Sequence, residues 1–156
     1  MNRDRAFPGR PASIREARAF TEDVLAGTDL TTLQSIVLMV SELATNSVRH
    51  AGSEFRVDIR SDDGVVRVVV ADGGSGVPAM RTPTHEEPSG RGLRIVDRLA
   101  DDWGTAEAPS GTEVWFLVRV GAEGGDDLDE RESDAPRTPR LEVVPDSSER
   151  EQARAA

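Results

Sequence analysis

The chain has 156 residues, with 29 Asp and Glu against 19 basic residues, all of them Arg, and a formal net charge of −10. A pI near 4.7 argues against a protein that tracks nucleic-acid phosphates with a basic face, and the absence of Cys removes disulfides, thiolate metal sites and cysteine nucleophiles together. The longest apolar run, Val65 to Ala71, is interrupted by Arg67 and is too short to cross a bilayer, and no apolar stretch follows the N-terminal arginines, so a cytoplasmic protein with no leader and no membrane partner is expected.

Arg5 to Phe7 reads as a short edge strand stopped by Pro8. Ser13, with Glu16 three residues on, has a capping-box pattern, and Ile14, Ala17, Phe20, Val24 and Leu25 keep helical spacing behind it until Gly27. Thr31 or Thr32 opens a second helix that runs to about His50 and stops at Ala51-Gly52. The period then changes. Phe55, Val57 and Ile59 alternate with Arg56, Asp58 and Arg60, as in a half-buried strand. Asp63-Gly64 is a two-residue hairpin turn, and Val65 to Ala71 returns as a more fully buried strand. Gly73 to Gly92 is rich in Gly and Pro and poor in apolar residues; Leu93, Ile95, Val96 and Leu99 mark a short helix after it. Trp103 to Ala108 and Thr112 to Val120 form a second hairpin through Pro109-Ser110-Gly111.

Hairpin-linked strands rule out a doubly wound parallel sheet. The expected class is α+β, a two-layer α/β sandwich with a mixed, mostly antiparallel sheet covered by about three helices on one face. Residues 1–120 form this domain. Residues 121–156 hold 11 of the acidic residues and few apolar ones (Leu128, Leu141, Val143, Val144), too few to offset ordering entropy, so an acidic disordered tail is expected. It reads as a solvated, solubilising segment, with partner binding by Leu141 to Val144 as the alternative.

Three segments carry polar chemistry. In the second helix, Leu33, Ile36, Val37, Val40, Leu43, Ala44, Ser47 and Val48 share one apolar arc. Glu42, Asn46 and His50, at i, i+4 and i+8, border that arc where a cleft wall would stand. Glu42 offers a proton acceptor and Asn46 a neutral oxygen suited to Mg2+; a solvated polar stripe would show the same spacing. Next, a buried strand ends in Asp72 and enters Gly73, Gly74 and Gly76. Backbone there can approach a ligand closely and Asp72 can accept from an exocyclic amine, although an ordinary Asp-Gly turn is equally compatible. No Lys follows, which excludes a P-loop, and the glycines do not lead directly into a helix, which excludes a Rossmann site. Finally, Gly90-Arg91-Gly92 leads into a helix and offers N–H groups and a guanidinium to an anion, or is flexible loop punctuation. Met80 to Pro88 reads as a mobile lid, and His85 within it is assigned no role. Trp103 and Trp115 read as packing residues; Thr112 alone says little.

Order and spacing together say more. Glu42-x-x-x-Asn46, Asp72-x-Gly74-x-Gly76, Gly90-x-Gly92-Leu93 and Gly111-Thr112 resemble the GHKL, or Bergerat-fold, ATP-binding superfamily over about Ser13 to Val120. The runs Ser41 to Ala51 and Gly90 to Gly104 are similar to those of bacterial anti-sigma-factor serine/threonine kinases. Neither a phosphoacceptor-histidine helix nor the second domain of the gyrase or mismatch-repair ATPases is read in the chain. The resemblance implies ATP and Mg2+ as cofactors. It implies that Asn46 coordinates Mg2+ and that Glu42 is the general base for a partner's Ser or Thr hydroxyl. It implies that Asp72 accepts from the adenine amine, with Thr112 supporting the ring. Gly74 and Gly76 would let backbone close on the nucleotide, and Gly90, Arg91, Gly92 and Leu93 would serve the phosphates; His50 would line the cleft. The partners it implies are a sigma factor and an anti-anti-sigma (STAS-type) antagonist, with a homodimer common in the family and no direct nucleic-acid contact. Two functional classes stay open: a kinase that phosphorylates the antagonist and sequesters the sigma factor, and a non-catalytic nucleotide-binding module that acts by holding partners. Glu42 favours the first, because a pure binding module has no use for a base.

Overall fold

Alternation of apolar and charged residues produces the sheet. In the computed structural model, which describes residues 1–50, 52–73, 91–108, 111–121 and 140–141, the elements in chain order are β1 (Asn2–Phe7), α1 (Pro11–Val24), α2 (Leu30–His50), β2 (Phe55–Asp62), β3 (Val65–Asp72), α3 (Arg91–Leu99), β4 (Asp102–Ala108), β5 (Gly111–Arg119) and β6 (Arg140–Leu141). The strands form one sheet in the order β1-β2-β3-β5-β4-β6. Neighbours are antiparallel except for β6, which pairs parallel with β4.

Because side chains along a strand alternate between faces, register alone says which residues meet the helices. Phe55, Val57 and Ile59 of β2, Val66, Val68 and Val70 of β3, and Val114, Phe116 and Val118 of β5 are buried on one face. Against them lie Ala17 of α1, Ile36, Met39, Val40, Leu43 and Ala44 of α2, and Leu93 and Val96 of α3. Phe7 anchors the β1 end, stacked on Phe55 and edge-on to Phe20. This is the expected α+β two-layer sandwich.

Four local features differ from the sequence expectation. First, α1 begins at Pro11, with Arg10 as N-cap and no side-chain cap. Proline is pre-organised for the first helical position, so Ser13 lies inside the helix, buried. Second, α2 is capped by Asp29, whose Oδ1 accepts from the Thr32 N–H at 2.9 Å. Third, β3 is buried on one face only: Val65, Arg67, Val69 and Ala71 are half-buried, and the Arg67 guanidinium lies 5.3 Å from the centre of the Trp115 ring. Fourth, Arg140 and Leu141, within the segment expected to lack packed structure, pair with Gly104 and Thr105. The Asp63-Gly64 turn is as expected, with both residues at positive φ, 46° and 72°, as a type I′ hairpin requires. Among the described residues no helix is long and apolar enough to cross a membrane.

Candidate functional site

The two ends of the candidate site are built by different elements, and α2 joins them. Its buried arc is the expected one: Ile36, Val37, Val40, Leu43, Ala44 and Ser47 are all buried, together with Met39. Glu42 and Asn46 flank this arc one turn apart and are half-buried. They are therefore neither core nor freely solvated. What stands against them is α3. A Cβ built on Gly92 would lie 2.8 Å from Nδ2 of Asn46 and 3.4 Å from Cβ of Glu42, so a side chain at position 92 would displace the Asn46 amide from the place it holds beside the first turn of α3. The first N–H groups of a helix have no intrahelical acceptor, and they carry the positive end of its dipole. Thus a carboxylate, an amide and a helix N-terminus meet at one end.

At the other end, the period-2 pattern that buries Val66, Val68 and Val70 places Asp72 on the helix-facing side of the sheet, at the last position of β3. The cross-strand row there is Phe55, Asp72, Thr112. Thr112 is buried and Asp72 half-buried. Ser47, one residue after Asn46, is buried and donates to Oδ2 of Asp72 at 2.8 Å. The backbone is equally close: Gly111 has φ +139°, and a Cβ on it would stand 1.8 Å from the carbonyl oxygen of Asp72. The second hairpin can meet the end of β3 only through a glycine.

Asn46, Glu42 and Gly92 thus come together, as do Asp72 and Thr112. Leu93 is 5 % exposed and belongs to the hydrophobic core, so its backbone N–H is the part left for a ligand. Arg91 is the first residue of α3. Gly74, Gly76, Gly90 and the expected lid from Met80 to Pro88 with His85 lie outside the described residues. Trp103 and Trp115 are buried, as expected of packing residues, and Trp103 Nε1 donates to Asp97 at 2.9 Å.

Sequence reasoning missed Ser47. Spacing places it on the apolar arc, although a hydroxyl among Val40, Leu43 and Ala44 is a polar atom that must find a partner when buried. The Gly111-Thr112 pair of the sequence motif gives no sign that Gly111 lies against the Asp72 backbone.

The arrangement couples an acceptor-only carboxylate at a sheet end to an amide and a second carboxylate beside a helix N-terminus. That combination suits a ligand with a hydrogen-bond-donating ring at one end and an anion at the other. The family model of the histidine kinase-like ATPase domain matches residues 7–118. The chain belongs to this family of ATP-binding domains, and the fold is the one the resemblance implied. Comparison with curated proteins finds no match.

Proposed function

We propose that the protein is an ATP-dependent regulatory serine/threonine kinase of the anti-sigma type, which phosphorylates a STAS-type antagonist and sequesters a sigma factor. The observation that carries the catalytic part is the placement of Glu42 one helical turn from Asn46, both half-buried against Gly92. A module that only bound nucleotide would need the amide and the glycine but not the acid.

The residues fit the cofactors. Asp72 is acceptor-only when ionised, which matches the adenine amine, and its neighbour Thr112 would support the ring. Asn46 supplies one neutral oxygen. Among the described residues no three His, Asp or Glu cluster as a metal cage, and Mg2+ commonly takes most of its ligands from phosphates and water. When bound, Mg2+ would neutralise charge on the phosphates during transfer. Gly92 and Leu93 would offer backbone N–H groups to phosphate oxygens, assisted by Arg91 and by Gly74, Gly76 and Gly90. Glu42 would accept the proton of the antagonist's hydroxyl as its oxygen bonds to the γ-phosphorus and the bond from that phosphorus to the ADP oxygen breaks.

The test is Glu42→Gln with a cognate antagonist. Transfer should fall by about 10²–10⁴-fold, the usual contribution of a general base, while ATP affinity stays within about twofold. Equal transfer by variant and wild type would remove Glu42 from the chemistry. ATP binding by the wild type with no phosphorylated antagonist would make the protein a non-catalytic binding module instead.

A further inference from the structure

β6 is only two residues long, but its register fixes the direction in which the chain leaves it. It pairs parallel with β4, Arg140 beside Gly104 and Leu141 beside Thr105. Two positions further along β4 stands Glu107, which pairs with Thr112, and Thr112 pairs with Asp72. That row is the sheet end of the candidate nucleotide site, so β4 runs toward the site and β6 runs with it. The first turn of α3 belongs to the same end, because Gly92 stands against Asn46 and the next residue, Ser47, bonds to Asp72. The chain therefore leaves Leu141 heading for the site. The only hydroxyl side chains beyond Leu141 are those of Ser147 and Ser148. Ser133 and Thr138 precede Arg140, on the stretch that enters β6 from the opposite end.

The distances decide what these serines can reach. α2 packs over β3 and β5, and α3 over β4. Strands lie about 4.8 Å apart, a packed layer stands about 10 Å above a sheet, and a strand rises about 3.3 Å per residue. Two or three strands across, up to two residues along and one layer up put Glu42 roughly 15–20 Å from Leu141. Extended chain spans at most about 3.3–3.6 Å per residue, so Ser147, six residues on, reaches about 20 Å and Ser148, seven on, about 23–25 Å. Both arrive with little slack.

We propose that the Ser147-Ser148 pair is an intramolecular phosphoacceptor, so that the protein phosphorylates its own C-terminal segment. This rests on the kinase reading of Glu42. In the step, the serine Oγ bonds to the γ-phosphorus of ATP, the bond from that phosphorus to the ADP oxygen breaks, and the hydroxyl proton passes to Glu42. A short tether supplies an effective acceptor concentration in the millimolar range, so transfer within one chain outruns transfer between chains in dilute protein.

The full chain is incubated with Mg2+ and ATP labelled in the γ-phosphate, alone and with the cognate antagonist. Label should appear on the peptide that contains Ser147 and Ser148, at a first-order rate unchanged by dilution. Ser147→Ala combined with Ser148→Ala should abolish it, while transfer to the antagonist stays within about twofold. Removing Val143 to Pro145 keeps both serines but shortens their reach by about 10 Å, and should slow labelling by at least about tenfold, since a tether that cannot span its sites gives no local concentration. Label on Ser133, Thr138 or any other residue would overturn the proposal, as would a rate that rises with protein concentration or a shortened chain that labels as fast as the wild type. A chain that phosphorylates the antagonist and stays unlabelled itself would also overturn it and leave the kinase reading standing. If neither chain nor antagonist takes up label, the kinase reading falls and this proposal with it.

Discussion

A methyl group on Gly92 would push against the Asn46 amide, 2.8 Å away, at the far end of a side chain that can yield. Helix propensity meanwhile favours Ala over Gly by up to about 1 kcal/mol. Gly92→Ala should therefore bind Mg-ATP about tenfold more weakly, ~1.4 kcal/mol, with a melting temperature equal to or above that of the wild type. Titration and thermal denaturation of one sample would show the two effects with opposite signs. Gly111 is the contrary case. Its φ is +139°, and an added Cβ would stand 1.8 Å from the Asp72 carbonyl oxygen, with only backbone to give way, so Gly111→Ala should cost about 3 kcal/mol or more, read as a fall in Tm of roughly 10 °C or more. Neither closeness was legible in the sequence. Gly90-x-Gly92 reads as a phosphate loop and Gly111 as a turn, because the atoms each glycine nearly touches, in Asn46 and Asp72, lie far away in the chain. Ser47 was hidden for the same reason: spacing assigns a face, and the face was correct, but a bond to Asp72 at a separation of 25 residues has no local signal.

Elements were easier to read than their ends. Helical spacing and strand alternation located both long helices and both hairpins, since burial of one face imposes the period. The starts went wrong where two local signals competed. Ser13-x-x-Glu16 imitates a capping box, yet Pro11 begins the helix two residues earlier, and Glu16 instead meets Arg10 at 3.2 Å. Sequence spacing favours Thr31 or Thr32 as the start of α2, but Asp29 is the residue that accepts the Thr32 N–H. Hydrogen bonds from the Thr32 backbone and hydroxyl, against an opposing effect of desolvation, hold the Asp29 carboxyl below its ordinary value. A group lowered on folding contributes stability above its unfolded pKa, and loses it as the pH falls through the folded one. Asp29→Asn keeps an acceptor at the cap without the charge. The Tm difference between wild type and Asp29→Asn should thus be widest near neutral pH and close as the pH falls below the ordinary carboxylate range, as a pair of thermal melts across the acid range would show.

For the molecule as a whole, composition and hairpin signals were enough to specify the sandwich, and the order of the spaced motifs along the chain pointed to the ATP-binding family. The pairing of β3 with β5 was not readable, because it joins two hairpins separated by Gly73 to Gly92 and depends on how the chain returns. The same holds for β6, a two-residue strand too short to leave a periodic trace. Removing the residues after Gly121 strips Arg140 and Leu141 from the edge of β4 at Gly104 and Thr105. The loss of a few edge hydrogen bonds should lower stability by about 1–2 kcal/mol and speed amide exchange in β4. A Tm loss above roughly 10 °C would mean that the segment packs more extensively on the domain.

The β3–β5 seam divides the chain into two hairpin units, and the candidate nucleotide ligands fall on both sides: Asn46 and Asp72 before it, Gly92 and Thr112 after it. Whatever bridges them acts as a staple across a joint that is covalently continuous only through residues 73 to 91. A polypeptide nicked in that stretch would still have every side chain needed to hold the ligand, and its two fragments would reassemble better with nucleotide than without, by simple mass action.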